Sequence, residues 1–255
     1  MNLVIDLNSD LGEGAGHDEK ILELVSSANI ACGFHAGDPA SIYATIQAAL
    51  DRGVSLGAHP SFPDRENFGR SEMTLPPSEV YSIVAYQIGA FHALARAAGG
   101  TMNHVKAHGA LYNMAARDRA LADLIANAVR RLDPKLIVFA PVESALDYAA
   151  TEIGLDTASE VFADRNYRGD GSLVPRSEPN AFVHDPAEAA ERIIRILSEG
   201  KVRAVDGSDV SLSATSVCVH GDNPEAVTFV RKLRERLERE DVVIAAPAPA
   251  PRGDF

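Results

Sequence analysis

At 255 residues the chain is longer than a typical single domain but within the size that α/β barrels reach as one unit. Apolar residues at 46% and charged residues at 24% are the balance of an ordinary globular protein and exclude a disordered chain. A formal charge of −12, without any long basic stripe, excludes nucleic acid as a partner and requires a local cluster of cations for any anionic substrate.

The opening MNLVIDLNSD lacks a basic segment followed by an apolar one, and no apolar run approaches the roughly 18 residues of a membrane span. The expectation is a cytoplasmic protein. Cys32 and Cys218 each lie inside a polar motif, which favours two buried reduced thiols over a disulfide framework. A redox or nucleophilic role would need a lowered thiol pKa.

In chain order, short β-branched and aliphatic runs alternate with longer helical patterns. Strands are expected at 2–7 and 28–32. Asp38 and Pro39 then open a helix with the stripe Ile42, Ile46, Ala49 and Leu50, which Gly53 ends. After a strand at 54–58, Pro76 and Pro77 precede a helix with Val80, Val84, Ile88, Phe91 and Ala95 on one face. A strand at 103–106 leads to a helix carrying Leu121, Leu124, Ile125, Ala128 and Leu132. Strands at 136–140 and 155–160 are followed by a polar loop over 161–184, a length that signals function or disorder. Asp185, Pro186 and Glu188 form a capping-box-like start to a helix with Ile193 and Leu197, ended by Gly200. An excursion at 201–213 precedes a strand at 215–219. Asn223 and Pro224 open the last helix, with Val227, Val230, Leu233 and Leu237, before a weaker strand at 242–245. One domain is expected over 1–245, with an Ala/Pro-rich mobile tail at 246–255.

About seven βα units suit either a closed parallel barrel or a doubly wound open sheet. Polar residues decide in favour of the barrel. They follow at least five strands, and in a barrel all the C-terminal strand ends converge on one axial site, whereas an open sheet concentrates them at one switch point.

Asp6, Asn8 and Asp10 alternate along the first strand, so period two places all three on its inner face. There they must serve one another, a ligand or a metal; a turn that caps the next helix is the plainer alternative. Glu13 adds a loop carboxylate between two glycines. His35 in CGFHAGDP and His220 in CVHGDNP, the latter with Asp222, each stand just before a helix start, where free N–H groups favour an anion. His59 in GAHPS, and His108 with Lys106 in VKAHGALYN, complete four strand-end histidines and one lysine. His17, His92, His104 and His184 lack such a context and read as structural. Asp6, Asp10, His35, His59 and His220 are ligand types suited to a divalent ion, but no spacing fixes a metal site and none is assigned. Neither a GxxxxGK[ST] loop nor a strand-borne GxGxxG is present, so the chain has no familiar nucleotide cradle. Asp164, Arg165, Arg168 and Arg176 bring local charge to the long loop.

DLNSDLGE at 6–13, ANIACGFHAGDP at 28–39, GAHPSFPD at 57–64, VKAHGALYN at 105–113, EVFADRNY at 160–167, DGSLVPR at 170–176 and CVHGDNP at 218–224 together resemble the LamB/YcsF family, the A subunits of bacterial ATP-dependent 5-oxoprolinase. The resemblance spans nearly the whole chain. One departure is Ala107, where the family more often has proline.

The resemblance implies a distorted barrel similar to the glycoside hydrolase/deacetylase superfamily, working with partner subunits B and C. The implied reaction opens 5-oxo-L-proline to L-glutamate with hydrolysis of ATP to ADP and phosphate; a divalent ion can accompany the ATP. On that reading Lys106, Arg165 and Arg176 hold a carboxylate or phosphate, Asp6 or Glu160 activates water, and His59 or His108 protonates the leaving nitrogen. Asn8, Asp10, Glu13, His35, Asp164, His220 and Asp222 complete the expected binding set. Two rival readings are a metal-dependent hydrolase of carbohydrate or N-acyl substrates and a non-catalytic subunit that binds substrate or scaffolds its partners.

Overall fold

The computed structural model describes residues 3–219 and 225–250. Seven parallel strands form the core: β1 (Val4–Leu11), β2 (Ser27–Ala31), β3 (Ser55–His59), β4 (Met102–Lys106), β5 (Ile137–Pro141), β6 (Asp156–Phe162) and, after the hairpin β7 (Lys201–Arg203) and β8 (Asp209–Ser211), β9 (Ser216–Val219). They follow one another in chain order around the sheet, and the pairing of β9 with both β6 and β1 closes it into a barrel. A short β10 (Val243–Ile244) adds to the start of β1. The open-sheet alternative is thereby excluded.

The helices around the barrel are α1 (Asp18–Leu22), α2 (Pro39–Asp51), α3 (Pro77–Ala97), α4 (Gly109–Ala115), α5 (Arg119–Leu132), α6 (Ala145–Glu152), α7 (Pro186–Glu199) and α8 (Ala226–Arg239). Their expected apolar stripes face inward: Ile42 and Ile46 on α2, Val84, Ile88 and Phe91 on α3, and Ile125 and Ala128 on α5 are 5% exposed or less. Each large aliphatic or aromatic side chain among them contributes about 1.5–3 kcal/mol by leaving water. Asp38 caps α2 reciprocally with Ser41. At α7 Asp185 accepts from the Ala187 N–H, and Gly200 ends the helix at a left-handed φ of 66° that a side chain would resist. No helix among the described residues is long and apolar enough to cross a membrane.

Several details differ from the sequence expectation. The first strand runs to Leu11 instead of residue 7, because Asn8 and Asp10 find hydrogen-bond partners inside the barrel and need no turn. The excursion at 201–213 is an antiparallel hairpin. The long loop is ordered by bridges pairing Arg165 with Phe182 and Tyr167 with Leu173. Asn223 and Pro224, expected to open the last helix, lie outside the described residues. The Pro247 carbonyl accepts from Asn103 and the Ala250 N–H donates to Asp156, which lays residues 247–250 across the N-terminal ends of β4 and β6.

The barrel interior is polar at its base. Asp6 accepts hydrogen bonds from the hydroxyls of Ser26, Ser27 and Ser216. Burial nevertheless pushes its pKa up from 3.8 to about 6, against the lowering effect of those hydroxyls. A carboxyl that binds its proton more tightly when folded contributes stability fully below its unfolded pKa and loses it as pH rises through the folded one. Asp6→Asn removes this titration. The stability of the parent relative to the variant should therefore fall by about 2–2.5 kcal/mol between pH 4 and pH 7. Denaturant unfolding across that range tests this, and parallel pH profiles for the two proteins would refute it.

Candidate active site

At the C-terminal end of the barrel lies a cavity of about 250 Å³, lined by Asp10, Glu13, His59, Arg70, Lys106, His108, Tyr112, Arg165 and Arg176 among others. An adjoining hollow shares Tyr112, Phe162, Arg165 and Arg176 with it and reaches Glu160. Strand pleating explains the convergence. Inner-face residues at the ends of β1, β3, β4 and β6 all project toward one axis.

Lys106 is the hub. Its ammonium lies 2.9 Å from Glu160 Oε1 and 3.1 Å from Asp10 Oδ1, and it donates to Asn8 Oδ1 at 3.3 Å. Burial alone would discharge it, but Asp10 and Glu160 outweigh that penalty and raise its pKa well above the ordinary lysine value. The surrounding groups are fixed in turn. Asn8 donates to Glu160 Oε1 and Ser216 Oγ, Asn29 donates to both Asn8 and Asp10, and the Tyr112 hydroxyl donates to Glu160 Oε2 at 2.6 Å. Burial pushes the Tyr112 phenol well up, and Glu160 adds to the shift, so it remains a donor. Below this layer His104 donates to Asn29 Oδ1 at 2.8 Å and stacks on Phe139.

Beside the lysine stands a cluster of three imidazoles and a carboxylate. Glu13 Oε1 is 2.9 Å from His35 Nε2, 3.3 Å from His108 Nδ1 and 3.8 Å from His59 Nε2. His35 and His108 stack with ring centroids 3.8 Å apart. Asp10 joins the two clusters, with one oxygen on Lys106 and the other 3.3 Å from His59 Nε2. Burial, reinforced by His59, lowers the pKa values of His35 and His108 to about 3. His59 is shifted the other way: burial disfavours its charge, but Asp10 and then Glu13 overcome it. One donor atom from each of Glu13, His35, His59 and His108 lies within 4.8 Å of the others, so these four could hold a metal.

The structure therefore brings together Asn8, Asp10, Glu13, His35, His59, Lys106, His108 and Glu160. Asp6 is not with them. It lies one layer below, closed in by three serines, because period two assigns a face but no depth. Arg165 and Arg176 line the cavity, although the Arg165 guanidinium donates to the carbonyls of Val174 and Ala181 and so braces its own loop. Asp164 is half-buried, and its carbonyl accepts from the Val183 N–H. His220 and Asp222 lie outside the described residues. Of the ligand types expected for a divalent ion, His35 and His59 belong to the cluster and Asp6 and Asp10 do not, while Glu13 and His108 complete it. Sequence reasoning does not single out Tyr112 or Asn29. Tyr112 follows His108 by four residues, one helical turn, and that spacing is the available signal. Both cysteines are free and buried; burial pushes the Cys32 thiol up to about 12 and Cys218 well above its ordinary value, the opposite of an activated nucleophile.

The pattern of the LamB/YcsF family matches residues 5–252. Among solved structures, the lactam utilization protein from Thermus thermophilus is 46% identical, with a TM-score of 0.90 over 96% of this chain and 100% of that one. A candidate cellobiose-phosphate cleavage protein from Enterococcus faecalis is 13% identical, with a TM-score of 0.58 over 96% of this chain and 97% of its own. A family 4 carbohydrate esterase from Streptomyces lividans is 12% identical, with a TM-score of 0.50 over 97% and 94%. These last two share the barrel fold.

Proposed function

Because the chain belongs to the LamB/YcsF family, we propose that it is the A subunit of an ATP-dependent 5-oxoprolinase, opening 5-oxo-L-proline to L-glutamate together with partner subunits B and C. The observation that carries this reading is the 46% identity to a lactam utilization protein along the full length of that protein. The cavity supports it. At about 250 Å³ it is smaller than the roughly 300–1,000 Å³ of sites for drug-sized ligands, as suits a compact metabolite, and Arg70 and Arg176 line it where a substrate carboxylate needs cations.

Opening an unstrained lactam to glutamate is uphill under cell conditions, which is the physical reason for ATP. Transfer of the γ-phosphoryl group to the amide oxygen makes the ring carbon electrophilic. Water then adds to that carbon, the C–N bond breaks with a proton delivered to nitrogen, and a second water hydrolyses the acyl phosphate. In this scheme Lys106, charged and fixed, stabilises the negative charge of the phosphoryl group carried on the lactam oxygen. Glu160, oriented by Tyr112 and Asn8, accepts the proton of the attacking water and then delivers it to the leaving nitrogen. Asp6 takes no part, being sealed beneath.

The test measures glutamate release and ATP hydrolysis from 5-oxo-L-proline with this chain alone, with the B and C partners alone, and with all three. Turnover is expected only in the full mixture. Turnover by the partners without this chain, or none in any mixture, would overturn the proposal.

A further inference from the structure

We propose that Glu13, His35, His59 and His108 form a binding site for one divalent transition-metal ion of the zinc class. The inference rests on where the lone pairs point. His59 Nδ1 lies 2.7 Å from the Lys106 carbonyl and His108 Nε2 lies 2.8 Å from the Phe68 carbonyl. A carbonyl only accepts, so both of those nitrogens carry hydrogen. The nitrogens left over, His59 Nε2 and His108 Nδ1, face each other at 2.9 Å with room for one proton between them. Glu13 Oε1 faces the same point, 3.3 Å from His108 Nδ1 and 3.8 Å from His59 Nε2. One proton between the two rings and one between His35 Nε2 and Glu13 satisfy these contacts in pairs when no ion is bound. A proton relieves one pair, whereas a metal ion engages every donor.

The supports of His59 and His108 have the form that metal-ligating histidines use, in which the second ring nitrogen donates to a backbone carbonyl and fixes the tautomer, whereas His35 Nδ1 has no hydrogen-bond partner among the described residues. Phe68 adopts a left-handed φ of 58°, which costs a non-glycine residue about 1–2 kcal/mol, and its carbonyl is the one that anchors His108. The packing is equally tight. A Cβ on Gly69 would meet His108 Cδ2 at 2.9 Å and His35 Cβ at 3.0 Å, so this turn presses both rings into place.

Three imidazoles and one carboxylate select the class of ion. Zinc takes such nitrogen and oxygen donors at about 2.0–2.2 Å, whereas magnesium and calcium prefer all-oxygen shells. The site is thus chemically distinct from the magnesium that travels with ATP. Tetrahedral bonds of that length separate ligand atoms by about 3.3 Å, so His59 and His108 need to part by only a few tenths of an ångström. Through Asp10 the ion would lie one carboxylate away from Lys106.

The proposal is independent of the substrate and is tested by binding. The full chain, stripped with a chelator, is titrated with Zn²⁺ by calorimetry and with Co²⁺ by visible absorption. One equivalent should bind, Co²⁺ should show the d–d bands of a low-coordinate nitrogen/oxygen site, and millimolar Mg²⁺ should displace neither ion. Glu13→Gln and His108→Ala should each weaken binding at least about 100-fold, while exposed His184→Ala keeps one equivalent. Glu13→Gln is isosteric and its side chain is 11% exposed, so it keeps the test valid if the histidine variant fails to fold. No stoichiometric binding by the folded parent, displacement by Mg²⁺, or full affinity in Glu13→Gln would overturn the proposal.

Discussion

Substituting Lys106 by Met is expected to lower lactam-opening turnover of the assembled complex by at least about 10³-fold and to destabilise the chain by about 3–5 kcal/mol. Both effects have one origin. The ammonium is 3% exposed and is the charge partner of Glu160 and Asp10, so removing it takes the shared cation from between two carboxylates. The catalytic loss follows because no other cation is within bonding distance of both carboxylates among the described ion pairs. The double variant Lys106→Met/Glu160→Gln separates the two effects. With one charge of each sign gone, it should regain much of the stability in denaturant unfolding while remaining inactive. A Lys106→Met protein within tenfold of parent turnover would remove Lys106 from the chemistry.

The second large effect is expected far from any substrate, at Gly57. A methyl group there would lie 2.0 Å from His104 Nε2 and 2.2 Å from Cδ2, across a β3–β4 register that pairs the two residues directly. His104 cannot swing aside, because Phe139 stacks on it at 4.2 Å and Asn29 holds its nitrogen. Gly57→Ala should therefore cost more than about 3 kcal/mol, at or beyond the upper end of overpacking penalties. It should also reduce activity, since Asn29 orients Asn8 and Asp10. Gly57→Ala/His104→Ala should be more stable than Gly57→Ala alone, a non-additivity that marks direct contact. Thermal unfolding of the three proteins decides the matter, and a single variant within about 1 kcal/mol of the parent would contradict this account.

The strands and long helices are legible in the sequence because their apolar runs are bounded by glycine, proline and capping aspartates, which act locally. Much of the site is legible for a related reason: His35, His59, Lys106 and His108 stand just past apolar runs, where packing has no use for them. What the sequence withholds is depth and partnership. Asp6, Asn8 and Asp10 share one face, but successive positions on it are about 7 Å apart along the strand, so the first is buried among serines and the last meets Lys106. Tyr112 looks like a packing residue because the proton acceptor that gives it a role, Glu160, is 48 positions away. Short α4 and α6 escape a sequence reading because two turns carry too little periodicity to stand out.

The seam of the barrel joins β1 to β9, where Ser9 donates to the Val219 carbonyl 210 positions along the chain. Contacts so distant in sequence form slowly, since loop-closure entropy must be met before they stabilise anything. The cavity walls come from β1, β3, β4 and β6, all members of the one closed ring, so a chain with the seam open does not hold Lys106 between Asp10 and Glu160. Whatever occupies the site recognises only the completed barrel. It therefore stabilises the whole chain by mass action, not one wall of the barrel at a time.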